Sequence, residues 1–499
     1  MRLALPVYSY TWIRAQPLER VALWGLLVVS ILVHLPSLHN PLITIDAWRQ
    51  TDEESVVFHF VHDTMNILHP QFFYDGSSGQ SVQLELQVLP WLTAGVMRLF
   101  GWHVPLLHVA PSLCFTINVW LVYHLGARLA NARIGLVAAL CYLLIPYDIY
   151  YGQALMPEVF MTTCMLWLVL AFDRWTRKPS WTTTLYCTGV LTLTMLAKLP
   201  AVTVLPGVLA LVVGRCGWRS LASWKALVCI VVSIGIVYGY MAYEGANAAH
   251  TFVSGDTDAY FLKHIGGILH PSKYAQAFIF MATNALGYAV TLGALISLGQ
   301  LFYTSALAKS APSTQAVRLF NRVSAWWALC GFCFVTWVAT NNALHYYYMV
   351  MTVPAALLCA NALVTLWTRA SRFTRTVVPV LVAGMVAFCA YATPPMYTPA
   401  EAAPYALGLH LARTLPKTAD IVWVGPDPMI FDYAKRDGWR WLSSDNPRAF
   451  RGWLADKQQH GAVVVVVEDT AQYPRIVSDL QAHQPFAQYA GYTVYQLGR

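Results

Sequence analysis

The chain has 499 residues, 57% hydrophobic and only 11% charged, with a mean hydropathy of +0.49. A water-soluble globular protein is excluded, because runs of about 20 apolar residues recur and each can cross a roughly 30 Å hydrocarbon core as a helix. A β-barrel would show short alternating segments instead, and the formal charge of +8 includes no basic, aromatic-interleaved patch that would bind nucleic acid.

The pattern predicts eleven spans, at about 21–38, 105–127, 134–152, 158–175, 182–199, 201–215, 225–243, 275–303, 323–341, 345–368 and 376–394. The first follows Arg2, Arg14 and Arg20 and lacks a small-x-small cleavage site, so it is expected to be retained rather than removed as a signal peptide. The run at 87–101, "QVLPWLTAGVMRLFG", is short and aromatic and is expected to lie along the membrane surface. With it outside the count and the N-terminus cytoplasmic, every inside loop is basic. Arg128 and Arg133, then Arg174, Arg177 and Lys178, then Arg215, Arg219 and Lys225 all fall inside, as do Lys309, Arg318, Arg322, Arg369, Arg372 and Arg375. That matches the positive-inside bias. The expected location is a plasma membrane, the inner membrane if the cell is bacterial.

The ten Cys lie in or beside apolar runs and read as small buried apolar side chains, and Cys330 and Cys333 form a C-x-x-C without a second pair of ligands. The expected domains are residues 1–394, a membrane domain that includes the first outside loop and surface helix at 39–104, and residues 395–499. The tail carries "ADIVWVGPD" and "GAVVVVVEDT" between helix-like stretches, which predicts a small soluble α/β domain outside the membrane. It has no Gly-rich phosphate fingerprint and is expected to be accessory.

The densest charge in the chain is "TIDAWRQTDEES", residues 44–55, just after the first span. On a helix Asp46, Arg49, Gln50 and Glu53 share one face, while Asp52 is expected to point elsewhere. A carboxylate beside a guanidinium and an amide can take a hydroxyl proton and hold a phosphate oxygen. A solvated helix with Asp46 as its cap fits the same stretch. Further ionisable groups fall on the outside: Glu85 before the surface helix, Glu158 in "LMPEVF", Lys198 in "MLAKLPA", and His345, Tyr346 and Tyr347 at the start of span ten. Each has a structural explanation of its own. Glu158 suits a helix N-terminus and Lys198 could snorkel. Charged groups at membrane depth are costly, however, and point to function. No His/Cys set indicates zinc, while the carboxylates could bind a divalent cation weakly. No other cofactor is indicated.

Taken in order, these motifs resemble the lipid-carrier-dependent glycosyltransferases of the GT-C fold, which include the protein O-mannosyltransferases and the transferase that adds aminoarabinose to lipid A. The resemblance runs from the first span to about residue 370. It rests on "DAWRQTDEES", on "RLFG" at 98–101, on "ARIGLVAALCYLLIP" leading to "YYGQALMPEVF", on "LAKLPA" in place of Lys-Gly-Pro, and on "HYYYMVMTVPAALL". The departures are Ala47 after Asp46, where the family often has Asp-Glu and this chain has that pair at Asp52–Glu53, Glu85, where aminoarabinose-type members have a Lys, and Glu158, where the family often has an Asp after the Pro of span four.

The resemblance implies a polytopic α-helical membrane protein with a GT-C-like bundle. The donor would be a sugar on a polyprenyl phosphate, and the acceptor a hydroxyl of a glycan, lipid or protein, joined in one inverting displacement at the outer surface. Asp46 would be the base, with Glu158 and Glu85 as further acids. Arg49, Gln50, Asp52 and Lys198 would serve the donor phosphate and substrate, with His345, Tyr346 and Tyr347 beside them. Two alternatives are a secondary transporter, which would place acids near the midplane in inverted repeats, and a polymerase or ligase of lipid-linked glycans.

Overall fold

A computed structural model of the chain describes residues 17–74, 76, 81–256, 262–307, 312–338, 344–368, 371–425, 428–468, 472–481, 485–489 and 491–497. Lys309 and Arg369 of the predicted basic loops lie outside the described residues.

The helices run α1 (Pro17–Leu32), α2 (Ala47–His62), α3 (Val88–Phe100), α4 (Val104–Leu129), α5 (Ala132–Leu143), α6 (Pro146–Tyr151) and α7 (Glu158–Arg177). Next come α8 (Trp181–Ala197), α9 (Leu205–Cys216), α10 (Trp224–Asn247), α11 (Phe252–Asp256), α12 (Pro271–Phe280), α13 (Tyr288–Leu307) and α14 (Pro312–Trp337). The last are α15 (Met349–Thr368), α16 (Arg372–Met396), α17 (Ala402–Thr414), α18 (Met429–Ala434), α19 (Pro447–Gln459) and α20 (Pro474–Leu480). The strands are β1 (Asp420–Val424), β2 (Gly438–Trp441), β3 (Ala462–Glu468), β4 (Pro485–Tyr489) and β5 (Tyr492–Gln496). Among the described residues, seven helical stretches are long and apolar enough to cross a membrane.

The chain divides into two units. The first, Met1–Ser37, Val109–Gly239 and Thr257–Pro395, holds most of the apolar helices. Here α5 and α13 pack on α15, α14 on α9, and α7 on α8. Small residues bring backbones close. A Cβ on Gly126 would stand 2.6 Å from Gly135 Cα, which lets α5 lie against α4. Asn131 starts α5 by accepting from the Ile134 amide at 3.0 Å.

Two predicted spans are broken. The run 134–152 becomes α5 and α6 because Pro146 cannot continue a helix from within it. The run 275–303 becomes α12, a π turn at Met281–Ala285, and α13. Gly287 makes the second break with φ 83, a left-handed value that glycine adopts without strain. The predicted span at 201–215 is a 3₁₀ stretch, Leu199–Val204, running into α9. At 13 residues, α3 is about 20 Å long, too short to cross.

The second unit comprises Leu38–His108, Tyr240–Asp256 and Met396–Arg499. Its sheet has the order β2-β1-β3-β5-β4. Strands β2, β1 and β3 are parallel, and β5 is antiparallel to β3 and β4. The parallel strands are linked through α18 and α19, as crossovers require. Val422, Val424, Val465 and Val467 form a core with Phe450 and Leu454 of α19 and Ile476 and Leu480 of α20.

The α/β character of the tail agrees with the sequence, but the division differs from the expected one: the first polar loop belongs with the tail. Gly438 donates its amide to Phe73 O at 2.8 Å, Gly76 donates to Gly438 O at 2.9 Å, and Tyr433 donates its hydroxyl to Leu42 O at 2.7 Å.

Candidate active site

In the second unit the charge cluster is a helix, as its spacing predicts. Asp46 is the residue before α2 and takes the left-handed conformation, φ 55 and ψ 32. Its backbone carbonyl accepts from Arg49 N at 3.0 Å and Gln50 N at 3.1 Å, but its side chain makes no capping hydrogen bond. Only two non-glycine residues among those described have positive φ, Asp46 and Lys435. Aspartate tolerates this region better than most residues, yet such conformations cost energy and cluster at functional sites.

Arg49 is 3% exposed and stands among three carboxylates: Glu53 at 2.9 Å, Glu85 at 3.5 Å and Asp52 at 3.9 Å. Its guanidinium also lies 5.4 Å from the centre of the Phe252 ring. The expectation for Asp52 is therefore corrected. Residues three apart on a helix are neighbours, and Asp52 reaches the same guanidinium as Glu53. Gln50 donates to Ile45 O at 3.0 Å, folding back onto the start of its own helix. Among the described residues, one guanidinium thus serves three acids here.

Sequence reasoning missed a second cluster in this unit. Lys435 places its ammonium 2.9 Å from Glu54 and 2.8 Å from Asp432. It lies beside the rings of Phe58, Phe73 and Trp102, 5.3 Å from the centre of the last. Burial pushes the Asp432 carboxyl well above the usual carboxylate range, and the neighbouring Glu54 adds to the effect while Lys435 opposes it. Burial also pushes Asp437 up to about 6, helped by Asp420 and Asp63 and opposed by His59. The sequence signal for Lys435 was no more than a Lys-Arg pair in the polar stretch "DYAKRDGWR".

In the first unit Glu158 opens α7 right after Pro157 and is fully buried. Lys198 follows α8 in extended conformation and is 3% exposed. The Lys198 ammonium donates to Glu158 Oε1. Pro200 sits in the 3₁₀ turn right after Lys198 and holds the chain there.

Tyr346 and Tyr347 come from one 3₁₀ turn, His345–Tyr348, ahead of α15. Their ring centres lie 4.9 and 5.3 Å from the Lys198 nitrogen, so the cation faces two π-surfaces and one carboxylate. The structure thus joins Glu158, Lys198, Tyr346 and Tyr347 into one group, while His345 stacks on Phe280 at 4.6 Å. Asp148 on α6, fully buried, was not singled out by the sequence reading. Its signal was an acid inside the apolar run "CYLLIPYDIYY". Among the described residues no group of three or more His, Cys, Asp or Glu is placed to hold a metal ion.

The backbone as a whole matches known structures. ArnT from Cupriavidus metallidurans bound to undecaprenyl phosphate superposes with a TM-score of 0.65 at 13% identity, covering 98% of each chain. The chain has the GT-C fold. A second GT-C structure is the Archaeoglobus fulgidus oligosaccharyltransferase tethered with an acceptor peptide containing the NVT sequon. It has a TM-score of 0.57 at 11% identity and covers 93% of this chain and 71% of that one. By sequence, residues 87–243 match the family model described as dolichyl-phosphate-mannose-protein mannosyltransferase. That segment runs from α3 to α10 and includes Glu158 and Lys198. No curated protein matches the chain by sequence.

Proposed function

We propose that the protein is an integral-membrane glycosyltransferase that moves a sugar from a polyprenyl-phosphate carrier to an acceptor hydroxyl at the outer membrane surface. The observation that carries this reading is the buried Glu158–Lys198 pair beside Tyr346 and Tyr347 in a GT-C bundle. A buried ammonium is an expensive feature. It becomes useful where a phosphate must leave with a negative charge, because a fixed cation in a low-dielectric site stabilises that charge as it develops. Glu158 positions the ammonium and the tyrosine rings offer a surface for a sugar.

The phosphate role is assigned to Lys198 rather than Arg49, since phosphate at Arg49 would have to displace one of its three carboxylates. Asp46 is the general base. The acceptor O–H gives its proton to the Asp46 carboxylate and its oxygen bonds to the anomeric carbon. The bond from that carbon to the carrier phosphate breaks with its electron pair staying on the phosphate, so the configuration inverts. Arg49 holds Asp52, Glu53 and Glu85 in place around α2, and Gln50 stiffens the start of that helix. The orientation that suits this chemistry has the N-terminus cytoplasmic and the tail outside.

The test is mass spectrometry of cell-surface glycans, lipids and glycoproteins from cells carrying wild-type protein, Asp46→Asn or Asp52→Asn. Loss of a general base costs roughly 10²–10⁴ in rate, so Asp46→Asn should abolish the product peak while Asp52→Asn keeps it. An active Asp46→Asn beside a dead Asp52→Asn moves the base to Asp52. No difference in any glycan between wild type and a null strain rules the transferase reading out.

A further inference from the structure

We infer that the first unit carries a binding site for the headgroup of an acidic phospholipid, at the helix ends opposite in sequence to the Lys198 turn. The last turn of α7, the start of α8, the end of α9 and the start of α10 border an open cavity of about 430 Å³. Trp175, Trp181, Trp224, Ser220, Ser223 and Lys225 line it. That volume suits a phosphodiester headgroup with its glycerol.

Three observations choose the occupant. The first is depth. Trp181 and Trp224 open apolar helices and are 49% and 70% exposed. Tryptophan at the ends of spanning helices marks the level of the lipid headgroups. The second is the state of Lys225. Among the described residues its ammonium meets only the Pro179 carbonyl, at 3.1 Å, and the Trp181 ring, at 6.0 Å. No described carboxylate neutralises it, and Ser220 and Ser223 supply hydroxyls in the same cavity.

The third is the charge around it. The 70 residues from Arg174 to Tyr243 contain no Asp or Glu and, besides Lys198 at the far end of α8, six Lys or Arg: Arg174, Arg177, Lys178, Arg215, Arg219 and Lys225. Just before this stretch, the one carboxylate of Asp173 is shared by Arg128, Arg177 and Arg215 and leaves two positive charges over. Arg215 precedes Cys216 at the cavity wall and also donates to Thr176 Oγ1 at 3.1 Å. Indole walls, hydroxyls and uncompensated cations at headgroup depth match a lipid phosphate that carries a net negative charge, and a zwitterionic lipid gains much less there.

The test is native mass spectrometry of the purified protein released from nanodiscs of phosphatidylglycerol and phosphatidylcholine in equal amounts. Wild-type protein should retain one phosphatidylglycerol in preference to phosphatidylcholine. Removing one surface cation weakens acidic-lipid binding about fivefold, so Lys225→Gln should lower that occupancy by about this factor. Trp224→Ala, at an exposed position that can fold normally, should lower it as well. Equal retention of both lipids, or an unchanged preference in both variants, overturns the site. Displacement of phosphatidylglycerol by an equal concentration of undecaprenyl phosphate, lost in Lys225→Gln, would overturn the phospholipid assignment and give the cavity to the carrier lipid.

Discussion

The Lys435 ammonium lies 2.9 Å from the Glu54 carboxylate, so a residue of the tail neutralises a residue of the first polar loop. The same ammonium also neutralises Asp432, 2.8 Å away. Removing the cation would leave two largely buried carboxylates facing each other.

Lys435→Met should therefore lower the stability of the second unit by about 2 kcal/mol, less than the roughly 3–5 kcal/mol of a fully buried pair, because the Lys435 side chain is 26% exposed. Lys435→Arg, which keeps the charge, should cost clearly less. Thermal unfolding of the detergent-solubilised protein, followed by tryptophan fluorescence, checks both. Equal midpoints for wild type and Lys435→Met would show that the pair contributes nothing.

Asp437 gives the unit a pH dependence of definite sign. Its folded carboxyl is raised to about 6 from 3.8, so the fold binds this proton more tightly than the unfolded chain does. That contribution to stability is complete below about pH 4 and is lost as the pH rises through 6. Asp437→Asn removes it. The melting midpoint of the variant relative to wild type should be higher at pH 7.5 than at pH 5. A difference that is the same at both pH values would show that Asp437 is not perturbed.

Glu158 and Lys198 make a separable case. Breaking a buried ion pair by removing one partner strands a charge, whereas removing both does not. Glu158→Gln and Lys198→Met should each reduce the yield of folded, monodisperse protein. The double variant should recover most of that yield and still fail to make product. This non-additivity is the signature of direct coupling. A double variant as poorly folded as the sum of the singles would mean that the two side chains act independently.

Much of the architecture was legible because it follows from composition. Apolar runs locate the spans, and β-branched stretches such as "VVVVV" locate the sheet. The breaks were less visible. Pro146 was a clear signal inside 134–152, but the π turn before Gly287 was marked only by Thr283 and Asn284, two polar residues that a spanning helix also tolerates. At the site, Glu158, Lys198, Tyr346 and Tyr347 were each suspect as costly or aromatic groups. Their pairing was not readable, because Lys198 meets Glu158 across the whole of α7 and α8. Asp52 was legible and misread, since two residues three apart on a helix do share a side. The union of loop and tail left no local trace at all.

That union sets an order on biogenesis. The second unit draws on Leu38–His108, Tyr240–Asp256 and Met396–Arg499, the beginning, middle and end of the chain. At typical elongation rates Lys435 leaves the ribosome roughly 20–80 s after Glu54. During that interval the first loop has already been made, with Glu54 uncompensated and Phe73 without the Gly438 amide that it will accept. This part of the protein cannot mature while it is being made. It must wait until the tail has emerged, and a chain stalled or truncated before the tail would present quality-control proteases with an unfinished loop on an otherwise inserted membrane protein.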